Sequence, residues 1–300
     1  MGEYYNWINV DKREYFHPSD FGYGSKYLES MHKESEPLLA LHCLLNDEWK
    51  GDHILWFGDE RSVLKQSSNS VIQTLYAQSV EFGYPEDAFD MICESYRNVS
   101  CLFKEAEEEV RTYINMDLAD YKKEGKLDHF NEYGIDFENP FEGKFLKTGR
   151  RFEFTINHSK KIYYSLNETD ILFPDHTKNV YSDPLPSLMG YGRVAGEGKW
   201  LGDIIGVSDQ RPEGYALIRG SSICTPPSRL YLFRLSPENQ LRISARAFSE
   251  AMRLSAWKGR SSCLPASSFR SLPERIRVSM KTFRQPRWSG STSGRWSSIC

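Results

Sequence analysis

The chain has 300 residues and a formal net charge of −3, an average that hides two opposite stretches. Residues 1–218 carry 38 acids against 23 Lys and Arg, and residues 219–300 carry 15 Lys and Arg against three acids. An acidic body repels phosphate backbones, which argues against nucleic-acid binding by residues 1–218 and leaves it only to the basic stretch. The chain opens on neither a basic start nor an apolar run, and its longest apolar stretch, residues 37–45, is too short to cross a bilayer. The expectation is a cytoplasmic protein with no membrane partner.

In chain order, residues 4–10 are rich in aromatic and β-branched side chains and predict an opening strand. Ser35 followed by Glu36 and Pro37 predicts a capped helix through Leu45, whose apolar positions recur with helical spacing. His53 to Phe57 reads as a short buried strand ended by Gly58 and Asp59. Two helices are predicted over 70–82 and 85–97, broken at Gly83 and Pro85, and a longer polar one over 102–124. That last helix carries Glu105, Glu107, Glu108 and Glu109 early and Lys122 and Lys123 late, which suits its dipole. From 143 to 173 the apolar residues alternate, through Phe145, Phe152, Phe154, Ile156, Ile162, Tyr164, Ile171 and Phe173, and predict an antiparallel meander. A short helix over 184–189 and a last strand over 200–207 complete the series. Elements clustered in this way predict an α+β domain over 1–218 with a mostly antiparallel sheet.

Past residue 218 every preference changes. The body holds 15 Lys to 8 Arg, and residues 219–300 hold 2 Lys to 13 Arg, with 18 serines and neither Asp nor His. One helix, over about 236–252, is the only periodic feature there. The composition is that of a sequence read in a shifted frame, so 219–300 is expected to be disordered or a non-native extension.

No phosphate-binding, dinucleotide, zinc-protease or nucleophile-elbow motif occurs. Residues 21–26 hold two glycines and a lysine at the wrong spacing for phosphate. Within residues 1–218 the cysteines are Cys43, Cys93 and Cys101, an odd number without metal or disulfide spacing, so neither a metal nor a cofactor is expected. Cys43 adjoins His42, but neighbours on a helix point apart, which favours a core thiol beside a bonded histidine over a catalytic pair.

One pattern recurs. Trp49, Gly51, Asp52 and Ile54 share the spacing W-x-G-D-x-I with Trp200, Gly202, Asp203 and Ile205. The expectation is two equivalent strand beginnings in one sheet. Together with His53, Trp56, Asp59 and Glu60, these tryptophans and carboxylates are the candidate site: a binding cleft, or acid and base groups of a small hydrolase if burial raises one carboxyl pKa. The competing reading is a Gly-Asp turn whose Asp bonds backbone amides, with the tryptophans in the core.

Residues 2–15, 20–26, 29–33, 49–60, 131–136 and 200–209 resemble a group of bacterial proteins that open G-E-Y-Y-x-W-x-N-V-D-K-x-E-Y. The resemblance covers about 2–217, implies no activity and no catalytic residues, and implies that the fold closes shortly after Tyr215. The functional expectation is a non-catalytic protein whose acidic surface meets a basic protein partner, in a toxin-neutralising or phage-related role.

Overall fold

The computed structural model describes residues 2–27, 29–63, 65–124, 133–134, 136, 138–169, 171–172, 178–179 and 182–218. The helix expected over 236–252 and the character of 219–300 lie outside the described residues, as does Phe173.

The architecture is α+β. Strands β1 (Tyr5–Asn9) and β2 (Glu14–Phe16) form an antiparallel hairpin, and β3 (Ile54–Gly58) pairs antiparallel with the other edge of β1. Between them runs α1 (Glu36–Asn46). Ser35 stands at its N-cap with extended backbone angles, yet its side chain makes no capping bond; Pro37 in the first turn presets the helical φ. Helices α2 (Ser70–Glu81) and α3 (Ala88–Ser95) follow, each begun by a side-chain cap: Asn69 accepts from Val71 and Ile72, and Asp87 from Asp90. Strand β4 (Arg97–Asn98) then lies parallel to β2.

Two 3-10 turns over 100–106 precede α4 (Glu107–Glu124), which therefore starts later than the charge pattern predicts. Strands β5 (Phe154–Asn157) and β6 (Ile162–Ser165) form a second hairpin. Two short strands, β7 (Ile171–Leu172) and β8 (Lys178–Asn179), pair only with each other. Then come α5 (Leu185–Met189), β9 (Gly190–Gly192), β10 (Gly196–Glu197), β11 (Ile205–Ser208) and β12 (Ala216–Leu217).

The expected meander is thus corrected. After β5 and β6 the chain leaves the sheet, and the second edge of β5 is taken by β11 from far along the sequence. Alternation marks which residues face the core but carries no information on partners. The sheets have the orders β10-β9-β3-β1-β2-β4 and β11-β5-β6-β12, with the β9–β3, β2–β4 and β6–β12 pairs parallel and the other pairs antiparallel.

Two cores sandwich the larger sheet. On one face Trp7, Phe16, Ile54 and Trp56 join α1, α4, α5 and the inner face of the second sheet through Tyr164 and Ile205. On the other, Ile8, Val10, Tyr15, Leu55 and Phe57 pack under α2 and α3. This explains why 54–57 is apolar without alternation: both faces are covered.

Candidate functional site

The turn of the first hairpin spans Val10, Asp11, Lys12 and Arg13, and Arg13 takes a left-handed backbone (φ 55). Asn9, buried at the end of β1, closes this turn: its Oδ1 accepts from Lys12 N at 2.9 Å. Its Nδ2 donates to Asp52 Oδ2 at 2.8 Å, and Lys12 Nζ reaches the same oxygen at 2.9 Å. Asp52 is placed there by a tight turn, in which its N–H donates to Trp49 O (3.2 Å) across Gly51 at φ 85, a conformation that favours glycine. His53 donates its backbone N–H to Asp11 Oδ2 at 2.7 Å, and its ring Nδ1 lies 2.9 Å from the same oxygen.

Asp203 stands in the same surroundings in the other sheet. Asn157 Nδ2 donates to its Oδ2 at 2.7 Å, Lys160 pairs with it, and Asn157 Oδ1 accepts from Lys160 N at 2.9 Å. The two W-x-G-D-x-I turns therefore begin strands of two different sheets, not of one. A single antiparallel bridge between His53 and Ile204 joins them.

Asp59 and Glu60 lie at the far end of β3. A rise of about 3.3 Å per residue puts Asp59 roughly 20 Å from Asp52 along the strand. There Asp59 Oδ1 accepts from Tyr4 N at 3.0 Å, and Glu60 pairs with Arg193. Beside them Glu3, which the sequence did not single out, is almost fully buried and accepts from Tyr5 Oη and from the N–H groups of Arg193 and Val194, both at 2.6 Å. Gly58 and Gly192 make room for it: a Cβ on either would sit 2.5 Å or 2.8 Å from Glu3 Oε1. Burial, then the bond to Glu3, raises the Tyr5 hydroxyl well above the usual tyrosine range.

Partial desolvation, reinforced by Glu60 and Glu3, also pushes the Asp59 carboxyl up to about 6. Its native state holds a proton more tightly than its unfolded state, so this group costs stability as pH rises through about 4 to 6. Asp59→Asn keeps the oxygen that Tyr4 N–H needs. Its melting temperature should exceed that of the parent at pH 7–8 and match it at pH 4, read from paired thermal melts. A gain of equal size at both pH values would show that the ionised carboxylate is not the cause.

All three candidate tryptophans are core residues: Trp49 and Trp56 are fully buried and Trp200 is 3% exposed. Trp49 Nε1 donates to Glu14 at 2.8 Å, and Trp56 stacks on Tyr5 with ring centres 5.2 Å apart. The eight candidate residues therefore do not line one cleft. Asp52, His53 and Asp203 gather near the bridge, Asp59 and Glu60 stand at the opposite strand end, and the tryptophans face inward.

Sequence reasoning missed a buried polar chain. Asp183 Oδ1 accepts from Tyr164 Oη at 2.6 Å and from Leu185 N at 2.9 Å, while Asp183 Oδ2 faces His42 Nε2 at 3.7 Å. His42 Nδ1 accepts from Phe152 N at 3.2 Å, which leaves the ring proton on Nε2, toward the carboxylate. The one available signal was that Ser182, Asp183 and Pro184 repeat the Ser35, Glu36, Pro37 pattern. The neighbouring Cys43 bonds Thr148 O at 3.5 Å, and burial raises its thiol pKa.

Among the described residues no three His, Cys, Asp or Glu side chains gather to hold a metal ion, and no helix is long and apolar enough to cross a membrane. No family model, no curated protein and no solved structure matches the chain.

Proposed function

We propose that the protein is a non-catalytic cytoplasmic interaction protein that docks a basic protein partner on its acidic surface, in a toxin-neutralising or phage-related role. The observation that carries this reading is α4. Val110, Ile114 and Leu118, four residues apart, are its row that meets the core, continued by Ala106 of the preceding turn. That single row leaves most of the circumference to solvent, where Asp117 and Asp120 are exposed near Met116, itself 54% exposed, and Glu108 is exposed about two turns earlier. An acidic face with an exposed apolar side chain favours a cationic partner: the charge speeds encounter and the apolar group contributes once contact is made. The hydrolase reading gains no support from the geometry, since Asp52 and Asp203 already hold Asn and Lys partners and Asp59 lies far from both.

The test is capture by the full-length chain from its native cytoplasm, set against Glu108→Lys/Asp117→Lys/Asp120→Lys. These exposed positions can reverse charge without disturbing the buried row. The parent should retain a basic protein that the triple variant loses, and retention should fall steeply as salt rises. An identical set of captured proteins for both chains would refute the docking surface.

A further inference from the structure

The two clasps agree far beyond their shared Asp. The strand order β3-β1-β2-β4 recurs as β11-β5-β6-β12, with the first three strands antiparallel and the fourth parallel in both. Registers coincide: Asn9 faces Glu14 and Ile54, and Asn157 faces Ile162 and Ile205. Each hairpin has a four-residue turn that ends in a non-glycine left-handed residue, Arg13 at φ 55 and Lys161 at φ 52. Gly51 and Gly202 share φ 85.

Further hydrogen bonds recur at matching positions. Val10 N to His53 O (3.0 Å) corresponds to His158 N to Ile204 O (2.9 Å). His53 N to Asp11 Oδ2 (2.7 Å) corresponds to Ile204 N to Ser159 Oγ (2.9 Å). The fourth strand docks identically: Arg97 N to Arg13 O and Ala216 N to Lys161 O are both 3.0 Å, and Val99 N to Tyr15 O and Ile218 N to Tyr163 O are both 2.8 Å.

The sequence follows suit once the geometry sets the alignment. Ile8, Asn9, Lys12, Arg13 and Tyr15 correspond to Ile156, Asn157, Lys160, Lys161 and Tyr163. The helix beginnings Ser35, Glu36, Pro37, Leu38, Leu41 and Ser182, Asp183, Pro184, Leu185, Leu188 share S-[DE]-P-L-x-x-L. A hairpin turn alone recurs in unrelated proteins. A hairpin, a helix start, a Gly-Asp turn and a parallel fourth strand in the same order, with the same bonds, do not arise together from turn chemistry.

We infer that the chain is an internal duplication: two copies of one hairpin–helix–strand unit, fused in one polypeptide and related by an approximate two-fold axis beside the His53–Ile204 bridge. His53 and Ile204 are themselves equivalent, each following its clasp aspartate, and an antiparallel bridge between equivalent residues is what a two-fold axis produces. The packing is reciprocal. Helix α1 of the first copy lies against β11 of the second, and α5 of the second against β3 of the first. Each copy thus completes the other's core as the subunits of a homodimer do. The copies differ in two places: after the helix start the first continues α1 to Asn46 whereas the second turns at Met189 into β9 and β10, and third strand is joined to fourth by residues 59–96, with α2 and α3, in the first and by residues 209–215 in the second. Asp52 and Asp203 are one structural residue present twice, not a catalytic pair.

Exchange of turns in the full-length chain tests this. Asp11→Ser/Arg13→Lys gives the first hairpin the turn residues of the second, and Ser159→Asp/Lys161→Arg does the reverse; Val10, buried under α2 and α3, is left in place. Each exchanged chain should melt in one transition within about 3 °C of the parent. Asp52→Ala and Asp203→Ala, which strip the clasps, should each lower the midpoint by about 5 °C. The inference falls if either exchange costs as much as loss of the aspartate in the same clasp. Should an exchanged chain fail to fold, Arg13→Asn and Lys161→Asn decide. Asparagine tolerates the left-handed region, so both should hold or raise the midpoint. Opposite shifts at the two positions would count against equivalence.

Discussion

Trp56→Ala is expected to cost about 3–5 kcal/mol, the usual range for removal of a large aromatic from a packed core. Trp56 is fully buried, pairs with Gly190 of β9, stacks on Tyr5, and lies 4.9 Å from the Trp7 ring. Its loss empties the junction where β1, β3 and β9 meet, and collapse there is resisted by three paired strands. Domains of this size hold about 5–15 kcal/mol in total, so the variant should be partly unfolded near physiological temperature. Trp56→Phe should cost far less, since the indole N–H has no hydrogen-bond partner to lose. Urea unfolding of the three proteins measures this. A Trp56→Ala chain as stable as the parent would return Trp56 to the list of surface binding residues.

Asp183→Ala should be comparably damaging, at about 3–5 kcal/mol, because it strips the centre from a buried polar chain. Tyr164 Oη and Leu185 N would lose their acceptor and His42 Nε2 its facing charge, all in surroundings that exclude water. An unpaired buried donor costs its full desolvation penalty. Asp183→Asn keeps an oxygen for Tyr164 and Leu185 and should cost about 1–2 kcal/mol. If alanine and asparagine prove equally harmful, the carboxylate charge matters rather than its hydrogen bonds.

Local structure was legible in the sequence where it depends on neighbours along the chain. The 70–82 helix is capped by Asn69 and ends at Glu81, and the break at Gly83 and Pro85 falls where those residues predict it. The α+β class followed from such segments. What escaped was pairing between distant segments. Strands β4, β9, β10 and β12 are two or three residues long, too short to show alternation, and exist because a partner strand offers its edge. The candidate carboxylates were visible as a repeated motif. Their partners were not, because Asn9 and Asn157 precede Asp52 and Asp203 by more than forty residues and nothing in composition links them. Aromatic content identified Trp49, Trp56 and Trp200 but could not say which way they face.

The parallel pairing of β3 with β9 has a consequence for synthesis on the ribosome. Trp56 and Phe57 wait for Gly190 and Tyr191, so β3 emerges as an open sheet edge and stays one while the intervening chain is made. An apolar open edge is a template for pairing with other chains. Pairings so distant in sequence also form slowly, because loop closure comes before any gain from contact. The nascent protein is therefore most vulnerable to misassembly after its first hairpin forms and before residue 190 is available. Chaperone dependence should be concentrated in that interval.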